Sequence, residues 1–138
     1  MVAYSFKPSF IPHIVSKVKR QTIRLPRKRH ARPGEALQFF HGPRMKPVRI
    51  GGAVCQAARE VRLDFKRGLV TLDDAVELLH DDELNAFAIR DGFVPPAALA
   101  AVLPPWEYMA RWWALTHPDH PVFRGVLIDW TDSFEVAP

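Results

Sequence analysis

The chain has 138 residues, 48% of them hydrophobic, with nine Phe and four Trp. That is one domain's worth of core, large enough to hold without a disulfide or a structural metal, and no apolar run approaches the ~20 residues of a membrane helix. The net charge of +4 is spread unevenly: residues 1–67 carry 16 Lys and Arg against 3 Asp and Glu, whereas residues 68–138 carry 3 against 12.

In chain order, Tyr4 to Phe6 reads as a short strand. Pro8 to Val18 reads as a helix, with Ile11, Ile14, Val15 and Val18 at helical spacing and Pro8 or Ser9 at its start. Gln21 to Leu25 has the pattern of a strand, Pro26 to Gly34 is a loop closed by a Pro-Gly turn, and Glu35 to Phe40 is the next strand. After His41-Gly42-Pro43, Val48 to Leu63 leaves room for one long bent strand, in which Gly51-Gly52 marks a bulge or a close backbone approach. Lys66-Arg67-Gly68 turns a hairpin back into Leu69 to Leu72.

Asp73, Asp74 and Glu77 put negative charge where a helix dipole would welcome it, so a helix is expected there. A second follows over Asp82 to Arg90, stopped by Gly92. Pro95-Pro96 and Pro104-Pro105 bracket a short helical cap, Ala97 to Leu103, and Trp106 to Leu115 forms a further helix ended by Pro118. Phe123 to Trp130 returns as a buried strand, and the tail after Asp132 is expected to be loose. Short strands alternating with helices predict one α+β domain over residues 1–138.

The single Cys55 cannot form an internal disulfide and points to a reducing compartment. Lys7 and Pro8 interrupt the first residues before they could act as a signal peptide, so a cytoplasmic protein is expected, without a membrane partner. Opposite charge in the two halves either neutralises on folding or leaves a basic face. The run Arg27-Lys28-Arg29-His30-Ala31-Arg32, held as a loop between Pro26 and Pro33, favours exposure and an anionic partner, phosphate above all.

Lys19, Thr22 and Arg24 lie within one short segment that contains no acidic residue. Residues three apart share a face of a helix but oppose each other on a strand, so Lys19 and Thr22 serve one site only if a helix ends near the lysine and a strand begins near the threonine.

The run Ser16-Lys17-Val18-Lys19-Arg20-Gln21-Thr22-Ile23-Arg24, with Arg29-His30-Ala31-Arg32-Pro33-Gly34 and the strand-like Ala36-Leu37-Gln38-Phe39-Phe40, resembles the ASCH domain family, a branch of the PUA-like superfamily. Asp91-Gly92-Phe93 and the closing strand from Val122 to Trp130 are similar too. The resemblance implies a small bent PUA-like β-barrel with helices covering its ends. Some small members of that family are amidohydrolases that remove acyl groups from the exocyclic amine of cytidine and related compounds, using a Lys-x-x-Thr-Ile-Arg motif and a carboxylate after the helices.

Carried onto this chain, the resemblance implies catalysis by Thr22, Lys19 and Asp91, substrate contacts from Arg24, Gln21, Phe40 and Arg20, and no cofactor. Thr22 would attack the acyl carbon while Lys19 takes its proton, which requires a lysine that is neutral part of the time; in water its pKa is near ~10.4. Asp91 would orient Lys19 or relay a proton to the leaving amine. The substrate would be a modified nucleobase or nucleoside. The alternative is an RNA-binding or RNA-cleaving module that holds single-stranded RNA phosphates on Arg27, Lys28, Arg29, Arg32 and Lys46. The chain departs from the family pattern at Lys17, where a glycine usually stands two residues before the lysine, at Asp91, where a longer glutamate is usual, and in its long Pro95 to Pro105 piece.

His117-Pro118-Asp119-His120 reads as a rigid turn rather than a metal site, and no metal is expected. Trp106, Met109, Ala110 and Trp113 share a helical stripe suited to the core, which leaves Trp112 to an exposed face with Tyr108 nearby. His41 and Arg44 to Lys46 form a loop that could border the cleft of Thr22.

Overall fold

The computed structural model describes residues 1–138. The order is β1 (Val2–Ser5), α1 (Ile11–Val15), β2 (Gln21–Arg24), β3 (Ala36–His41), β4 (Val48–Asp64), β5 (Leu69–Leu72), β6 (Val76–Leu78), α2 (Asp81–Arg90), α3 (Pro105–Thr116), β7 (Val122–Trp130) and β8 (Glu135–Val136), with a 3-10 turn at Pro8–Phe10 leading into α1.

Strand β4 organises the rest. Its first half pairs with β3 and β8, and its second half with β7 and β5. A register shift between Cys55 and Ala57 in the β7 ladder marks the change of partners, where an extra residue bends the strand. Gly51 and Gly52 are the close approach anticipated from sequence: a Cβ on Gly51 would collide with the carbonyl oxygen of Glu135, and one on Gly52 would stand 2.8 Å from that of Leu37. All ladders are antiparallel except β1 with β3.

The class is α+β, as expected, but the sheet is open. Strand β2 pairs only with β7, β1 only with β3, and no ladder joins β1 to β2. A side chain spans that gap instead: Arg24 Nη2 donates to the carbonyl of Ser5 at 2.7 Å. Two cores result. One, including Ile23, Leu63, Phe87, Met109, Trp113 and Phe123, lies between the β7 half of the sheet and helices α2 and α3. The other, including Tyr4, Ile14, Phe39, Ile128 and Trp130, lies against the β3 half. No helix is long and apolar enough to cross a membrane.

Four expectations need correction. The helix expected over Pro8 to Val18 stops at Val15, because Lys17 adopts φ 66, a left-handed conformation that no helix continues through. The helix expected at Asp73 is a turn followed by β6. Asp73 and Asp74 both take positive φ, and the Asp73 carboxylate accepts the Glu60 N–H at 2.9 Å, so the acidic pair caps a strand rather than a helix dipole. Ala97 to Leu103 forms successive turns instead of a helix, closed by bonds such as Leu99 N–H to the Pro96 carbonyl and Val102 N–H to the Leu99 carbonyl. The tail is not loose: Glu135 and Val136 pair with Gly52 and Gly51, and Phe134 is buried, stacked 6.0 Å from Phe39.

Candidate active site

Two backbone turns, at Lys17 and at Gly92, bring the site together. Lys17, at φ 66, reverses the chain after α1, and its ammonium donates to the carbonyl of Asp132 at 2.8 Å. The Lys19 N–H then donates to the carbonyl of His13, which directs the Lys19 side chain inward until it is only 3% exposed. Its Nζ donates to the main-chain carbonyl of Asp91 and faces the rings of Phe10 and Phe6, 4.7 and 5.6 Å away. The helix end and strand start that a shared Lys19 and Thr22 site requires are both present, at Val15 and Gln21.

Strand β2 is tied at its start by Arg20 N–H to the Arg90 carbonyl and by Trp130 N–H to the Arg20 carbonyl. Alternation then sends Thr22 and Arg24 to one face and Gln21 and Ile23 to the other. Arg24 Nε donates to Thr22 Oγ1 at 3.0 Å. A hydroxyl oxygen that already accepts a charge-assisted bond has its own proton free to give away, and the guanidinium stabilises negative charge that develops there.

Asp91 closes α2. The chain turns at Gly92 with φ 93, and a Cβ at that position would stand 2.8 Å from Lys19 Cδ and 2.9 Å from Phe10 Cδ1. Glycine is therefore required twice over, for the turn and for the passage of the lysine stem. The Asp91 side chain is 4% exposed, and its carboxylate is approached by Gln21 Nε2 at 3.5 Å.

Lys19, Thr22, Arg24 and Asp91 line one cavity of about 290 Å³ beside the unpaired edge of β2. Its walls come from both cores, with Phe6 on one side and Phe93, Trp112, Trp113 and Phe123 on the other. Burial decides the charges. It pushes the Lys19 ammonium down to about 8, against the opposing pull of Asp91 and with a smaller contribution from Arg24. Burial also pushes the Asp91 carboxyl up to about 6, against Lys19, the Gln21 bond and Arg24. The Arg24 guanidinium is lowered, again chiefly by burial. With a pKa near 8, on the order of a tenth of the lysines are neutral at pH 7.

The other sequence-derived candidates are dispersed. Gln21 stands behind the strand, where it supports Asp91 and Phe87 from the face opposite Thr22. Arg20 and Phe40 do not line the cavity; Phe40 sits on β3 opposite Arg49. Arg27, Lys28, Arg29 and Arg32 are exposed on the loop between β2 and β3, although Arg29 is paired with Glu35 at 2.5 Å. Lys46 is exposed in the turn before β4, and neither it nor His41 lines the cavity.

Sequence reasoning passed over part of the cavity wall. His117 belongs to the rigid turn, but its ring stacks on Trp113 at 4.3 Å and lines the cavity. Trp112, picked out as lying off the core stripe, lines it too, packed against Phe10 and Phe93. Lys7 and Ser5 line the rim, with no motif to announce them. No group of three or more His, Cys, Asp or Glu side chains is arranged to hold a metal ion. No family model, curated protein or solved structure matches the chain.

Proposed function

We propose that this protein is an amidohydrolase that removes acyl groups from the exocyclic amine of acylated cytosine or cytidine, and that it belongs with the ASCH branch of the PUA-like barrels. The observation that carries the proposal is the convergence of Lys19, Thr22 and Asp91 on one cavity, with Arg24 bonded to the threonine oxygen. The bent β4 and the cleft beside β2 support reading the open sheet as a relative of those barrels. Buried Cys55, whose thiol burial pushes up to about 11, suits a reducing, cytoplasmic setting.

In the proposed reaction neutral Lys19 takes the hydroxyl proton as Thr22 Oγ1 bonds to the acyl carbon. Charge on the former carbonyl oxygen and on Oγ1 is met by the Arg24 guanidinium. The tetrahedral intermediate collapses, the carbon–nitrogen bond breaks, and Lys19 returns the proton to the leaving amine. Water then adds to the acyl-threonine with Lys19 again as base, which frees the carboxylic acid and restores the hydroxyl. Asp91 holds Lys19 through its main-chain carbonyl and tunes it through its charge. The pyrimidine ring would lie against Phe93, Trp112 and His117. No step calls for a cofactor.

The experiment is release of cytidine from an acylated substrate by wild type and by Thr22→Ala and Lys19→Ala; each substitution should abolish release while the fold persists. A second reading, binding or cleavage of single-stranded RNA, draws on one feature. Arg27 lies 4.8 Å over the Tyr4 ring that Arg24, a cavity residue, also faces at 5.3 Å, so the basic loop starts one residue contact away from the cavity. In that case affinity would fall steeply with salt and with neutralisation of Arg27, Lys28, Arg29 and Arg32, and Thr22→Ala would change little.

A further inference from the structure

The cavity holds more positive charge than the proposed reaction uses. Lys7, Lys19 and Arg24 stand on its walls, whereas Asp91 is the one carboxyl among the lining residues. Lys19 and Arg24 have assigned partners: the Asp91 carbonyl for the first, Thr22 Oγ1 and the Ser5 carbonyl for the second. Lys7 has neither a carboxylate nor a carbonyl partner, and its Nζ lies 5.1 Å over the Trp112 ring on the cavity wall.

The neighbouring imidazole does not add an acid to balance it. Thr116 Oγ1 spends its proton on the Trp112 carbonyl at 2.9 Å, so it accepts from His117 Nδ1, 2.8 Å away. In the neutral ring, His117 Nε2 is then left as a lone-pair acceptor. Burial, His120 and then Lys7 all disfavour its protonation, which keeps the ring neutral beside the Lys7 ammonium. An aromatic wall with an unpaired ammonium at its rim attracts an anion attached to a flat ring.

Taking the cavity as the acyl-transfer site proposed above, we propose that its substrate carries an anionic group, a phosphomonoester or a carboxylate, which Lys7 binds at the rim while the pyrimidine lies along Trp112 and His117. A neutral acylated nucleoside is then the lesser substrate.

Two measurements test this independently of each other. Turnover of acetylcytidine, its monophosphate and succinylcytidine is compared in wild type, Lys7→Gln and Lys7→Arg. Binding of the same three compounds to Thr22→Ala is measured by calorimetry, which needs no catalysis. One anionic compound should show a KM and a dissociation constant lower than those of acetylcytidine by about fivefold. That preference should vanish in Lys7→Gln, return in Lys7→Arg and shrink as ionic strength rises. Preference for the monophosphate identifies a phosphate site, and preference for the succinyl compound a carboxylate site on the acyl group. Equal binding of all three, or a preference that survives Lys7→Gln, overturns the inference. Anion-dependent binding without turnover in wild type would sustain it and sink the amidohydrolase assignment instead.

Discussion

The Lys19 ammonium donates to the main-chain carbonyl of Asp91, 72 positions along the chain, and not to that residue's carboxylate. Position and charge are therefore separable. The backbone of Asp91 places the lysine, while its carboxylate opposes the burial that makes the lysine readier to lose a proton.

Asp91→Asn should leave Lys19 in place but remove the influence that raises its pKa. The rate of the wild type is expected to climb with pH through about 8, as Lys19 becomes neutral. In Asp91→Asn that limb should move to lower pH, as read from kcat/KM against pH. A limb that stays put, or moves upward, would show that the carboxylate does not act on this lysine.

Arg24 bonds both Thr22 Oγ1 and the Ser5 carbonyl, a fork that one ammonium cannot reproduce. Arg24→Lys should lower kcat by roughly a hundredfold or more through lost charge stabilisation, with a smaller change in KM. Steady-state kinetics on one acylated cytidine checks this; an unchanged kcat removes Arg24 from the mechanism.

Much of this site was legible in sequence because it depends on local grammar. The three-residue spacing of Lys19 and Thr22 demanded a helix end and a strand start, and both occur. The Gly92 stop likewise marks the turn that presents Asp91. What could not be read was tertiary. Nothing in Lys17 itself marks a left-handed backbone, so α1 is expected to run on; the one hint is the glycine that the resembled family carries at this position. Asp73 and Asp74 have the charge of a helix start, yet short acidic side chains also tolerate positive φ and cap turns, and the edge of β4 decided the matter. His117 and Lys7 reach the cavity from opposite ends of the chain, and no spacing connects them.

Lys17 pays a backbone penalty at φ 66 that glycine would not. Lys17→Gly should stabilise the fold by up to about 1 kcal/mol, net of the added freedom of the unfolded chain and the lost bond to Asp132. Urea midpoints at constant slope measure this. A lower midpoint would mean that the Lys17 contact outweighs the strain.

The buried pair should also leave its mark on stability. Folding lowers Lys19 from 10.5 to about 8, so between those values the unfolded chain holds a proton that the folded chain lacks, and stability rises with pH. Folding raises Asp91 from 3.8 to about 6, so through that window the folded chain holds the extra proton, and stability falls as pH rises. A minimum near neutrality is expected. The double variant Lys19→Met with Asp91→Asn should flatten both limbs in denaturation curves taken across pH, whereas limbs that persist would belong to other groups.

Mass spectrometry of protein and products after mixing with an acylated cytidine tests the covalent mechanism most directly. Free cytidine should accumulate while the peptide bearing Thr22 transiently gains the mass of the acyl group, and both signals should disappear in folded Thr22→Ala. Undiminished cytidine release by that variant, or no release by the wild type at any pH, would contradict the account.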